Sequence, residues 1–381
     1  MIVLGAQAFA GEQTSKANEC QAQGEPLTCY SPAYNAPAVV NVNANHWKYG
    51  SPNMNMFIDA AFTYWRAGEE GLKIASSGVL TSGTSYFPQE TKTLTQSFGY
   101  KPGFKVGTGV VGYHEWTVMA EYTWFRGTDT KNSGSPLTGT SLTAGISTGV
   151  APSGTNVWLV DDWFLQGTVA SQALPGSSVS SSWHLGLDLI DAIASRPFYQ
   201  GQRMTVSPFA GLRSALIRQS MEVNLTEASA LGNLPAQPIE SRTRSQSWSL
   251  GPIAGCEGRY LLPMGFRFQG DFAASLLYTS YTSIKHSEDI ASTTFNPGPY
   301  KASLKDYNTV RPVAEMGLGL GWGRYLFDGN YHIDFSASYD FKVFWSQNMM
   351  RKLMDDTLTG TSASPGDLFL YGLTVAGRFD F

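Results

Sequence analysis

The chain has 381 residues, 15% of them charged, with a net charge of −4, 13% aromatic residues and 40 glycines. A typical soluble domain carries about 25% charged residues. No basic cluster points to nucleic acid, and no stretch is apolar for the ~18 residues a membrane helix needs.

The N-terminus, MIVLGAQAFAGEQ, ends a short apolar stretch at Ala8-Phe9-Ala10. That small-x-small pattern has the form of a signal peptidase site, so residues 1–10 read as the tail of a secretory signal, the alternative being an ordinary apolar N-terminus. Residues 11–52 read as a periplasmic or lumen segment, and residues 53–381 as the folded body. Export makes a disulfide permissible, and Cys20 and Cys29 are near enough in sequence to pair. Cys256 then remains as a small residue within a strand.

From residue 53 onward the pattern is period two, the mark of strands with two unlike faces. In NMNMFIDAAFTYW, the set Met54, Met56, Ile58, Ala60, Phe62 and Tyr64 opposes a set that contains Asp59. GFKVGTGVVGY sets Phe104, Val106 and Val110 against Lys105. EWTVMAEYTWF sets Trp116, Val118, Tyr122 and Trp124 against Glu121. SSWHLGLDLID sets Trp183, Leu185, Leu187 and Leu189 against His184 and Asp188. RMTVSPFAGLRSALI sets Val206, Ala210 and Leu212 against Arg203 and Arg213. SWSLGPIAGCEGRY and MGFRFQGDFAASLLY place Glu257, Arg259, Arg267 and Asp271 opposite their apolar sets. VRPVAEMGLGLGW does so with Glu315. In YHIDFSASYDFKVFW, His332, Asp334, Asp340 and Lys342 oppose an aromatic-rich face. In YGLTVAGRFDF, Arg378 and Asp380 oppose Tyr371, Leu373, Val375, Phe379 and Phe381.

Such alternation fits a soluble sandwich or a membrane barrel. Strand number, strand length and terminal aromatics favour the barrel. A terminal strand that runs to the last residue leaves an edge, and closing a barrel removes it. Short links near His114, at ASRPFYQGQ, at LLPM and at LFDGN alternate with long segments at residues 67–98, 128–180, 218–243, 284–303 and 347–365. The expectation is an all-β, transmembrane, antiparallel up-and-down barrel of about ten strands, with long extracellular loops and short periplasmic turns. The segment VWLVDDWFLQG would raise the count to twelve if it added a pair. Pro208, Pro252 and Pro312 fall inside strands and mark bulges or edges.

The inward charges carry both signs. They either hydrate an open lumen or lock across it as salt bridges, and the frequent Gly and Ser of the inner face favour the open case. An acid–base pair of His184 and Asp188, helped by Asp161 and Asp162, would suit a rim protease. There is no GxSxG, HExxH or phosphate loop, and no zinc-like Cys and His spacing. No cofactor or metal is expected, and no enzyme.

Several segments resemble the pore-forming, major-outer-membrane-protein-like family of legionellae and chlamydia-related bacteria. They include FIDAAFTYWRAGEEGLKIA, YKPGFKVGTGV, WHLGLDLIDAIASRPF, SLGPIAGCEGRYLL, RPVAEMGLGLGW, DFSASYDFKVFWSQNMM and LFLYGLTVAGRFDF. They recur in family order from about residue 56 to the end. The resemblance implies a bacterial outer-membrane porin that passes ions and small hydrophilic solutes passively, with outer-membrane lipid around it. It implies that Phe381 and Phe379 help form the signal read by the barrel assembly machinery. Related porins often form trimers, so a homo-trimer is a candidate assembly, with no interface signature in the sequence. A surface adhesin or coat protein with a closed barrel is the alternative.

Overall fold

The computed structural model describes residues 55–80, 91–112, 115–134, 155–160, 163–164, 174–176, 178–201, 203–228, 237–290, 299–326, 331–358 and 365–381. In chain order the strands are β1 (Asn55–Glu69), β2 (Lys73–Leu80), β3 (Thr91–Thr95), β4 (Tyr100–Val111), β5 (Thr117–Gly134), β6 (Thr155–Val160), β7 (Leu174–Gly176) and β8 (Ser178–Ser195). They continue with β9 (Tyr199–Gln200), β10 (Met204–Ala228), β11 (Gln237–Leu261), β12 (Phe266–Ile290), β13 (Tyr300–Leu304), β14 (Tyr307–Leu326), β15 (Tyr331–Asn348) and β16 (Gly366–Asp380). One helix, α1 (Met349–Leu358), follows β15. Among the described residues, no helix is long and apolar enough to cross a membrane.

The main sheet has twelve strands, of which β9 and β13 are short additions to β10 and β12. The other ten are the staves of a closed antiparallel barrel. Each of β1, β4, β5, β8, β10, β11, β12, β14, β15 and β16 pairs with the next, and β16 returns to β1. Closure is by register, with Ile58 opposite Phe379 and Asp59 opposite Arg378. The last residue takes part: Met56 N–H donates to Phe381 O at 3.1 Å, and Phe381 N–H to Met56 O at 2.9 Å. Closure leaves the ten staves without a free edge strand at this seam.

The outward set is exposed and apolar where lipid would lie. Ile58 and Phe62 on β1, Leu276 on β12, Leu318 and Leu320 on β14, and Phe335 and Tyr339 on β15 are all more than half exposed. In water this surface would be costly, at about 25 cal/mol per Å². In hydrocarbon it is matched. Short links and the chain end mark the periplasmic side, as in outer-membrane barrels generally.

The staves are longer than the apolar pattern indicates. β10 and β11 stay paired from Met204 opposite Tyr260 to Leu225 opposite Ile239, far into the segment read as the 218–243 loop. Above the membrane a stave meets water outside, so the lipid-facing set loses its apolar character and the alternation fades. The VWLVDDWFLQG segment does not add staves. Its first part lies in β6, which pairs with β2 and β7 in a separate four-stranded sheet with β3. The prolines fall where one neighbour is not paired. The β11–β12 register lapses at Pro252, and β14 begins to pair β15 only at Val313, after Pro312. A residue without an N–H is tolerated there.

Candidate functional site

At membrane depth the inward set encloses a polar chamber of about 330 Å³. Its lining carries eight carboxylates, Asp59, Glu121, Asp191, Glu257, Asp271, Glu315, Asp334 and Asp340. It carries six cations, Lys105, Arg213, Arg259, Arg267, Lys342 and Arg378. The formal excess is two negative charges.

Most of these charges are paired; Asp59 stands apart, with its Oδ1 buried and without a hydrogen-bond partner. Arg213 donates to both oxygens of Asp191 at 2.7 Å and to Glu315 at 2.7 Å. Lys342 binds the other oxygen of Glu315. Arg267 forks onto Asp334, with Nη2 to Oδ1 at 2.6 Å. Arg259 bonds Glu257 at 2.6 Å, and Arg378 bonds Asp380 at 2.6 Å. Lys105 lies between Glu121 at 3.8 Å and Asp340 at 3.9 Å. Glycines opposite the charges make room. A Cβ on Gly107 would collide with Asp59 Oδ1, and one on Gly321 would sit 2.6 Å from Arg267 Cζ.

Trp65 sits against three lining residues of this chamber, Lys105, Lys342 and Thr374. Its ring lies 5.5 Å from Lys105 Nζ and 5.9 Å from Lys342 Nζ, a cation–π contact on each. Its indole N–H donates to Thr374 Oγ1 at 3.0 Å, and that hydroxyl donates to Asp340 Oδ2 at 2.7 Å.

Above Trp65 the interior changes character. One apolar cluster joins inward residues of nine staves, all but β4, to Leu72, Ile74, Ala75, Trp163, Phe164, Met350 and Met354. Leu72 precedes β2 and Ile74 and Ala75 lie in it, Trp163 and Phe164 follow β6, and Met350 and Met354 belong to α1. Trp163 is fully buried and donates its indole N–H to Lys73 O at 2.6 Å. Asn348 caps α1 by accepting from Met350 N–H at 3.1 Å, and its amide donates to Glu70 O at 2.8 Å. Glu69 is buried and accepts from Trp183 Nε1 at 2.7 Å and from Gln219 Nε2 at 2.5 Å. The described extracellular half therefore holds an apolar plug pinned by polar bonds to the wall.

Thirteen of the fifteen inward charges read from sequence line the chamber: Asp59, Lys105, Glu121, Arg213, Glu257, Arg259, Arg267, Asp271, Glu315, Asp334, Asp340, Lys342 and Arg378. Two do not. Arg203 precedes β10 and is exposed at the periplasmic turn. Asp188 lies on the outer face of β8. It shares a row with Trp124 and Leu216 and is held by Arg126 at 2.8 Å and Tyr122 OH at 2.7 Å. The correction applies to the whole strand: Trp183, Leu185, Leu187 and Leu189 are buried inside. Their apolar pattern reads as lipid-facing, but on β8 it packs on the plug. The same inversion hides Asp191 from a sequence reading, although it faces inward against Arg213.

The protease pair does not form. His184 bonds Thr128 Oγ1 at 3.0 Å and Ser182 Oγ at 3.1 Å, while Asp188 is engaged by Arg126. Asp161 and Asp162 lie outside the described residues, as do Cys20, Cys29 and the N-terminal segment. Cys256 is exposed on the outer wall. Among the described residues, no group of three or more His, Cys, Asp or Glu could hold a metal ion.

A family model described as Legionella pneumophila major outer membrane protein precursor matches residues 52–381. No curated protein matches. Among solved structures, the outer membrane protease OmpT of Escherichia coli is similar at 10% identity and a TM-score of 0.37, covering 87% of this chain and 97% of that one. A major outer membrane protein of Thermus thermophilus is similar at 10% identity and a TM-score of 0.29, covering 86% and 100%. A FadL homologue of Pseudomonas aeruginosa follows at 7% identity and 0.28, covering 86% and 90%. At these TM-scores none of the three informs the chemistry of this chain.

Proposed function

The chain belongs to the family of the Legionella pneumophila major outer membrane protein and resides in the bacterial outer membrane, and from that premise we propose that it is a porin for ions and small hydrophilic solutes. The observation that carries this reading is the polar chamber at membrane depth, where charges of both signs line a space of about 330 Å³, large enough for several waters. Paired charges on a rigid wall offer a hydrated path at low electrostatic cost, and an excess of one sign biases which ions use it. The excess here is negative, so cations pass preferentially. Transport is passive, no group in the lumen acts as a catalyst, and the plug sets how often the path is open.

The apolar plug favours a second reading. A barrel closed at its extracellular end could serve as a surface adhesin or coat. Single-channel recording of the refolded protein in a planar bilayer separates the two. Discrete steps with a cation-selective reversal potential support the porin. A folded, heat-modifiable barrel that stays silent at all voltages overturns it and leaves the coat.

A further inference from the structure

Four adjacent staves carry a cationic patch on their outer face that the lumen does not use. Register places the side chains in rows. Trp124, Asp188, Leu216 and Trp248 form one row across β5, β8, β10 and β11. Just below it, Ile190 and Leu250 are about half exposed on the lipid side, at 51% and 50%. The two tryptophans therefore stand at the upper boundary of the membrane, where indoles concentrate. The next row up is Arg126, Gly186, Arg218 and Gln246, and above that come Thr128, His184, Ser220 and Arg244. Three arginines thus occupy two consecutive rows at the level of lipid headgroups.

Their states differ. Arg126 is fixed, with its guanidinium 5.1 Å over the Trp124 ring and bonded to Asp188. Arg218 is 59% exposed at its side chain and approaches Asp188 only to 3.9 Å. Arg244 is exposed. One carboxylate against three guanidinium groups leaves the patch positive. Gly186 lies between Arg126 and Arg218 and offers no side chain, so the row has a notch there. The notch opens into a groove of about 480 Å³ that also includes His184, Ser220 and Gln246.

We propose that this groove binds the phosphate-bearing headgroup of a glycolipid in the outer leaflet. Guanidinium forks match phosphate oxygens in shape and charge. Amide, hydroxyl and imidazole groups beside them suit sugar hydroxyls. The apolar wall directly beneath, from Leu216 to Leu250, receives the acyl chains. A free phosphate would meet the charges but gain nothing from that wall. The site stands whether or not the lumen conducts.

The test uses the refolded full-length barrel in detergent micelles, with native mass spectrometry as readout. The probes are diphosphoryl lipid A, the same lipid enzymatically dephosphorylated, and inorganic phosphate. Retention of diphosphoryl lipid A is expected, with loss of about tenfold or more in affinity for the dephosphorylated form and for the Arg218→Ala/Arg244→Ala variant. Both arginines are exposed, so the variant should fold, and heat-modifiability checks this. If it does not fold, the dephosphorylated arm decides by itself. Equal binding of the two lipids, or equal binding by the folded variant, overturns the proposal. So does displacement of the lipid by inorganic phosphate at matched concentration, which would make this a free-phosphate site.

Discussion

Arg213 on β10 and Glu315 on β14 meet across the lumen at 2.7 Å, although their staves are three steps apart around the barrel. With Asp191 on β8 and Lys342 on β15 they form a chain of alternating charge that bridges the interior. A contact between adjacent strands would only stiffen the wall. This one narrows the passage.

Replacing Arg213 with Gln removes a cation from the middle of that chain. Asp191 is left without its guanidinium while Glu315 keeps Lys342. Breaking one member of a buried pair costs about 3–5 kcal/mol, and the retained Lys342 places this change near the lower end. The lining then carries eight carboxylates against five cations. The expected result is a lower unfolding midpoint, larger unitary current and a reversal potential shifted further toward cations. An unchanged reversal potential would mean that ions do not pass this chain.

Gly321 faces the guanidinium of Arg267, which forks onto Asp334. A valine there would occupy the space that Arg267 fills, so Gly321→Val should destabilise the barrel by about 1–3 kcal/mol through overpacking. Gly258→Ala is the control, because its Cβ would meet only Gly270 O at 3.9 Å. Urea midpoints in detergent compare them. Equal midpoints would show that the inward glycines are not clearance for charge.

Deleting Phe381 removes both backbone bonds to Met56 and the stack on Phe379 at 5.8 Å. Closure should slow, and the heat-modifiable fraction after refolding should fall. Phe381→Leu keeps the backbone bonds and should refold as the parent does in vitro. If the aromatic ring is also read during assembly in cells, Phe381→Leu lowers surface abundance there. Equal abundance would confine Phe381 to a closure role.

The ten staves were legible because lipid outside and charge inside give each strand a strict period of two. Asp334, Asp340 and Lys342 on β15 stand out in this way. The rule fails where its premise fails. On β8 the leucines face a dry interior, so they mimic a lipid-facing set and carry Asp188 to the wrong side. The outer halves of β10 and β11 face water on one side, so Ser and Thr alternate with little contrast and read as loop. The plug was not legible at all. Leu72, Ile74, Trp163 and Met350 come from three distant segments and gain meaning only when the wall surrounds them.

That plug makes the last prediction. Trp163 has no exposed surface, and it ties to the β2 backbone through Lys73 O. Truncation to Ala leaves a cavity against the wall and drops that bond, a loss of about 3–5 kcal/mol in a packed core. No stave is altered, so the main unfolding transition of the barrel should move little. The cost should fall on local opening of the plug. Amide exchange at Leu72, Ile74 and Ala75 should therefore quicken, and the channel should open more often with the same ion preference, because the charged lining below Trp65 is untouched. Faster exchange without a change in opening frequency would place the plug outside the ion path and return weight to a closed coat.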